Sequence, residues 1–462
     1  MWSRREFLKI MIAISMSFSG HSGFGADGKK GQCQINGQKE LIKGPLGNGT
    51  ATVYRAVNGS PSENLGKVFE LMGGVEKLIG SHDVVLIKPN AQWWNQGAPS
   101  LSAMHAFINL IMNRPGGFNG EVVLAENCHR GPSPWTSTES GWAHEFERNS
   151  DFTNVSNLSQ LSRILKDKYR ERFSTCHLID VDGGNKRVYG PSDGPGYVYC
   201  DGSKGVPLIP YENEASGPNH RATIMTYPII RTEKGTLIDF KNGVWEKGSY
   251  TGQPLRFINF AALNHHSPYC GMTSTIKNYM GITDLSGGPD PHHGGRLTKE
   301  YYNFHSFPFN KWSSGPEPGM LGGAIGSFMK TIRKADLNIT TAEWVGLSSR
   351  TDPPVSHARA VLTSTNPVAL DYHGGKYILF PNSKLPIHDP DNKKGPLHAY
   401  LAKCAELSRG MLDETKVEVK SYDFRTKTFQ EKDKLIVSAP IHWGSNPKAI
   451  LKYLTLKYWK GY

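Results

Sequence analysis

The sequence predicts an α/β fold, with a mainly parallel sheet, helices on both of its faces, and room for two lobes around a cleft. Three observations carry that expectation. Aliphatic runs of strand length, such as residues 84–87 and 256–263, are apolar throughout instead of alternating, which suits strands buried on both faces. Between such runs lie stretches with apolar residues at helical spacing, so strand and helix alternate along the chain. Glycine (50) and proline (29) are plentiful among the 462 residues, which calls for many turns and long loops and not for a helical bundle.

The expected organisation is a signal over 1–25, a flexible arm over 26–50, the α/β domain over 51–380 and a C-terminal helical extension packed on it over 381–462. Ser3-Arg4-Arg5-Glu6-Phe7-Leu8-Lys9, a short apolar stretch and then Gly23 and Gly25 before Ala26 look like a cleavable twin-arginine export signal. A basic amphipathic first helix is the alternative. The apolar stretch is short for a membrane span. The translocase is therefore an expected partner, the location is periplasmic or otherwise exported, and no stable span is expected after cleavage.

The elements follow in order. Residues 52–57 read as a strand, and Leu65, Val68, Phe69, Met72, Val75 and Ile79 put one apolar stripe on a helix over 64–80. Residues 84–87 form a strand that ends at Lys88-Pro89-Asn90, where proline forbids further pairing. Met104, Phe107, Ile108, Ile111 and Met112 trace a second helix, and 120–126 is the next strand. A charged helix over 158–173 and a strand over 176–181 lead into 183–218, a long irregular region dense in Gly, Pro and Tyr. Strands at 222–230 and 256–263 flank a hairpin at 232–245. The remainder reads as helix 325–332, strands 336–344 and 360–363, and helices 367–379, 397–407 and 447–459, with Pro367 in a first-turn position.

Composition limits the chemistry. A net charge of +12 suits anionic substrates or surfaces, but the basic residues are scattered and form no nucleic-acid motif, so nucleic acid is not an expected partner. Cys33, Cys128, Cys176, Cys200, Cys270 and Cys404 include no close pair, which leaves no zinc or iron–sulfur ligand set. No Gly-x-Gly-x-x-Gly fingerprint follows a strand, and neither a Walker loop nor a Gly-x-Ser-x-Gly elbow occurs.

The candidate site centres on residues 264–281, directly after the apolar run 256–263, where polar groups converge at strand carboxyl ends in open α/β sheets. His265, His266, Cys270 and, a little further on, His292 are candidate metal ligands, since imidazole and thiolate suit transition metals. Loop hydrogen bonding is the alternative, and adjacent histidines on extended chain point to opposite faces. Lys277 has apolar neighbours that would lower its pKa and free its amine. It is a candidate catalytic residue and, with Asn278 and Thr273, a candidate cofactor-binding one. Lys88 and Glu126 end two early strands; they are candidates for anion binding and proton transfer, or a plain ion pair. Asp371 either complements a helix dipole or orients a histidine.

Taken together, 84–90 (VVLIKPN), 122–126, 272–281 (MTSTIKNYMG), 335–337 (ADL) and 363–371 (TSTNPVALD) resemble the family called domain of unknown function 362, over most of 50–380. That resemblance implies an α/β fold and no established activity. Many relatives append a cysteine-rich ferredoxin module, which this chain lacks. More distantly, 265–281 is similar to the lysine loop of nickel-pincer lactate racemases. This similarity implies Lys277 as a cofactor tether and His265 or His266 as a ligand, although the spacing departs from theirs. The expected function is an exported enzyme, dependent on a transition metal or metal-organic cofactor, acting on a small anionic molecule. The rival is a non-catalytic binding or assembly protein for a metal, cofactor or redox partner.

Overall fold

The computed structural model describes residues 49–127, 140–152, 154–214, 222–286, 317–430 and 435–458. Residues 1–25, nearly all of the arm, His292, Cys33 and Cys128 lie outside that set.

The chain opens with β1 (Ala51–Val57) and α1 (Pro61–Leu71), and the helix begins earlier than its apolar stripe because Ser60 and Glu63 form a capping box ahead of it. Next come β2 (Val84–Pro89), α2 (Leu101–Met112), β3 (Glu121–Asn127), α3 (Leu158–Tyr169) and β4 (Phe173–Leu178). After a second, smaller sheet the chain supplies β13 (Leu255–Ala262), helix α5 (Pro318–Thr331), β16 (Leu337–Gly346), β17 (Val355–Ser364) and α6 (Pro367–Gly374). Helices α7 (Phe380–Ser383) and α8 (Pro396–Ser408), β18 (Val417–Asp423), β19 (Thr428–Gln430), β20 (Ile441–His442) and α9 (Pro447–Tyr458) complete it, and β7 (Pro210–Glu212) and β8 (Ala222–Ile224) form a separate antiparallel pair.

The large sheet runs in the order β19-β18-β1-β17-β16-β13-β2-β3-β4, with β20 paired to β17. From β16 to β4 every pairing is parallel, as is β18 to β1; β17 runs antiparallel to both of its neighbours. Buried side chains alternate between two cores. Val85, Ile87, Val122 and Leu124 pack with α1, α2 and α3, whereas Val84, Leu86, Val123 and Ala125 face the second sheet and the helices around α5 and α8. Both faces are therefore dry, which is why these strands read as unbroken aliphatic runs.

Two expectations are corrected. The region 183–218 is not simply irregular: β5 (Arg187–Val188) and β6 (Gly196–Tyr199) belong to a six-stranded sheet with β9 (Thr226–Arg231), β10 (Leu237–Asp239), β11 (Gly243–Glu246) and β12 (Ser249–Tyr250). Strands of two to four residues are too short to show a period. Nor is 381–462 only a helical extension, since β18 pairs in parallel with all seven residues of β1 and so belongs to the main sheet. Its Val417, Val419 and Ser421 alternate with polar residues, the pattern of a half-covered strand. The strand expected at 176–181 starts at Phe173, and the 325–332 helix begins at Pro318. No helix among the described residues is long and apolar enough to cross a membrane.

Candidate functional site

The parallel strands β2, β3, β13 and β16 share one carboxyl edge, and a pocket opens there. It is lined by Lys88, Asn90, Trp93, Glu126, Asn127, His266, Thr273, Lys277, Asn278, Gly281 and Arg350, among others. It holds about 550 Å³ not occupied by protein, its open mouth included, and about 50 Å³ in which a water-sized group can be centred.

A hairpin brings the second half of the site back to the strand ends. After β13, β14 (Asn264–His265) pairs antiparallel with β15 (Met272–Thr273). Its turn closes through Gly271, whose φ is +72° and where a Cβ would meet Ile387 O at 2.3 Å, so only glycine fits. The short helix α4 (Thr275–Asn278) follows immediately. Asp371, buried in α6, accepts the Thr275 N–H at 3.0 Å, the Thr275 hydroxyl at 2.6 Å and the Ile276 N–H at 2.9 Å. The carboxylate therefore fixes the turn that carries Lys277, and neither of its expected roles is the one seen. Burial raises its pKa to about 6, against those hydrogen bonds.

Lys88 and Glu126 stand on neighbouring strands and form a buried ion pair, Nζ to Oε2 2.9 Å. Lys88 also donates to Asn278 Oδ1, while Asn278 Nδ2 donates to Lys88 O at 3.0 Å and to Asn259 Oδ1 at 2.8 Å. Glu126 Oε2 accepts the Ala91 N–H at 3.2 Å, yet burial still raises its pKa to about 7, against the pull of Lys88. Gly281 roofs the pair: a Cβ there would lie 1.9 Å from Glu126 Oε1 and 2.4 Å from Lys88 Nζ.

Lys277 is different. Its side chain is half-buried and lies against the Met280 thioether, its one hydrogen-bond partner among the described residues, with no described carboxylate beside it. Burial lowers its pKa to about 8; Cys270 opposes that fall, and the charges of Arg350 and Lys88 add to it. Arg350, on the loop after β16, completes the cationic side of the pocket and stacks over the Trp93 ring at 4.8 Å.

The expected ligands divide. His266 lines the pocket, with Nδ1 3.0 Å from Ser267 Oγ. His265 turns the other way, its Nδ1 2.9 Å from His388 Nε2, and His388 Nδ1 is 2.7 Å from Ser383 Oγ. Burial and His388 hold His265 well below the usual imidazole range, and burial alone takes His388 to about 3, so both rings are neutral. The Cys270 thiol donates to Met272 O at 3.2 Å, and burial pushes its pKa up to about 12. Neither His265 nor Cys270 lines the pocket, and His292 lies outside the described residues. Among the described residues no three His, Cys, Asp or Glu side chains stand close enough to hold a metal ion. Among the described residues that line the pocket, His266 supplies the one imidazole and Lys277 an amine. The cysteines at 176, 200, 270 and 404 are unbridged thiols.

Three features of the site escaped sequence reasoning. Lys88 lies within the last residues of β2 and Arg350 in the loop after β16, so the strand-end criterion extended into the following loop would have found it. Asn127 donates through Nδ2 to Asp180 Oδ1 at 2.6 Å and to Thr283 O at 3.1 Å behind the pocket wall. Asp284 shares that region; burial and the neighbouring Asp180 hold its carboxyl well above the ordinary range. No local pattern marks that carboxyl pair.

Residues 255–375 match the model of the family described as "Domain of unknown function (DUF362)". The match runs from β13 through α6. It therefore includes Lys277 and Asp371, while Lys88 and Glu126 lie before it. It supports the resemblance over that segment, which is narrower than 50–380. No curated protein matches the chain. A crystal structure of a protein from Thermotoga maritima aligns over 76% of this chain, at 11% identity and a TM-score of 0.30, and this chain spans 60% of that protein's length.

Proposed function

We propose that this is an exported DUF362-type enzyme whose pocket binds a small anionic molecule and moves a proton on it. One observation carries the reading. Among the described residues no carboxylate stands beside Lys277, a cation in a half-closed pocket that Arg350 also lines. A buried charge without a partner is costly, and a bound anion relieves that cost. Lys88, first expected to bind the anion, is committed to Glu126 and Asn278, so this role passes to Lys277 and Arg350. Glu126, held near half-protonation at neutral pH, is the group that gives or takes the proton. Thr273 offers a hydroxyl at the pocket wall. Export rests on Arg4-Arg5 and their flanking residues.

Titration calorimetry with acetate, oxalate, pyruvate and phosphate tests the reading. At least one of these anions should bind at neutral pH, and affinity should fall tenfold or more in both Lys277→Met and Arg350→Met. Failure of all four to bind, or binding indifferent to both substitutions, would contradict it.

A further inference from the structure

We infer that the ligand is a small carboxylate that also bears an aldehyde or ketone carbonyl, and that Lys277 condenses with that carbonyl to form an imine. The inference rests on the anion-binding reading above and narrows its substrate class.

Both cations of the pocket attract an anion, but they differ in chemistry. A guanidinium forms a two-pronged contact with carboxylate and stays charged. A primary amine also has a lone pair once deprotonated, and a lysine becomes nucleophilic when it is desolvated or set beside another cation. Lys277 meets both conditions: its one hydrogen-bond partner among the described residues is a thioether, and the charges of Arg350 and Lys88 reach it. Position agrees with reactivity. Asp371 holds the turn before Lys277 by three hydrogen bonds, a degree of fixation that a simple surface lysine does not need. The space available is also informative. About 50 Å³ in which a water-sized group can be centred, within about 550 Å³ of unoccupied space, suits a small ligand.

The step balances within the pocket. The Lys277 nitrogen adds to the carbonyl carbon, forming a C–N bond, and a proton passes from nitrogen to the former carbonyl oxygen to give a carbinolamine. The hydroxyl group takes a second proton, the C–O bond breaks and water leaves. The C=N bond forms as nitrogen shares its pair. Glu126 serves as the acid and base for these transfers, and no oxidant or reductant is consumed. Where the carbonyl has a neighbouring C–H, the resulting iminium withdraws electrons from that α-carbon, which makes proton exchange there the class of reaction served.

The experiment treats the full chain with glyoxylate, pyruvate or 2-oxobutyrate in the presence of sodium cyanoborohydride, followed by intact mass and peptide mapping. Binding of the same acids is measured in parallel by calorimetry without reductant. At least one acid should label Lys277 tenfold or more faster than any other lysine. That label should vanish in Lys277→Arg, while a circular dichroism spectrum like wild type confirms that the variant is folded. Binding without a Lys277 adduct overturns the imine and leaves the anion-binding reading standing. Absence of binding and of adduct overturns both.

Discussion

Two cavities among the described residues hold a buried cation, and the larger one ties its cation more fully to the protein's own groups. The cavity between β1, β17 and β18 offers about 420 Å³ to water-sized groups, against about 50 Å³ at the strand-end pocket. In the larger cavity, however, Arg55 spends its terminal nitrogens on its own chain: Nη1 meets His373 Nε2 at 3.1 Å and Nη2 donates to Leu435 O at 2.7 Å. Asp423 accepts from Asn58 at 2.8 Å, and His357 meets Glu343 at 2.6 Å. In the smaller pocket the Lys88–Glu126 pair is similarly closed, but Lys277 is not. Cavity size thus says little about where chemistry occurs. Charge left without an internal partner says more.

Substitutions should sharpen that contrast, and the largest effect belongs to the closed pair. Glu126→Ala removes the carboxylate paired with the buried Lys88 ammonium and should cost about 3–5 kcal/mol in urea unfolding, a large share of what a marginally stable domain has. Arg55→Met removes one partner each from the His373 ring and the Leu435 carbonyl and should cost about 1–3 kcal/mol, with anion binding unchanged. A loss of anion binding in that variant would erase the distinction between the cavities.

Two further variants act through pH. The Asp284 carboxyl has its pKa raised in the folded state, so its contribution is fully present below the ordinary value of 3.8 and is lost as pH rises. Asp284→Asn should therefore gain on wild type in thermal unfolding as pH climbs from about 4 toward 7, and a constant difference would contradict the assignment. Lys277→Met should have the smallest effect on stability, because it breaks no ion pair. The sign is opposite in kind: the Lys277 pKa is lowered, so charging it destabilises the fold at neutral pH, and that cost disappears between about 8 and the ordinary 10.5. The variant should be slightly more stable than wild type at pH 7, with the gain gone in alkali. A marked loss at pH 7 would mean that Lys277 has a structural partner.

Much of this was legible in the sequence, and the exceptions have physical causes. Continuous aliphatic runs located β2, β3 and β13, because strands buried on both faces leave no choice of residue class. The criterion of polar residues at strand carboxyl ends placed Lys88, Glu126, Thr273, Lys277, Asn278 and His266 in one pocket. It could not place His265 and Cys270, since which face of a hairpin looks into a cavity depends on tertiary packing against His388 and Ile387. The small sheet was hidden by the shortness of its strands. β18 alternates polar and apolar residues but was passed over in the expected helical extension, and its parallel pairing with β1 spans some 366 residues and leaves no local trace.

The central claim is that the Lys277 amine is the pocket's uncommitted group, and its own titration tests this most directly. Carbon-13 resonances of labelled lysine, with the Lys277 signal assigned by its absence in Lys277→Arg, should show one midpoint near 8 that moves upward when a pocket anion is added. A Lys277 midpoint above 10, unmoved by any small anion, would contradict the account.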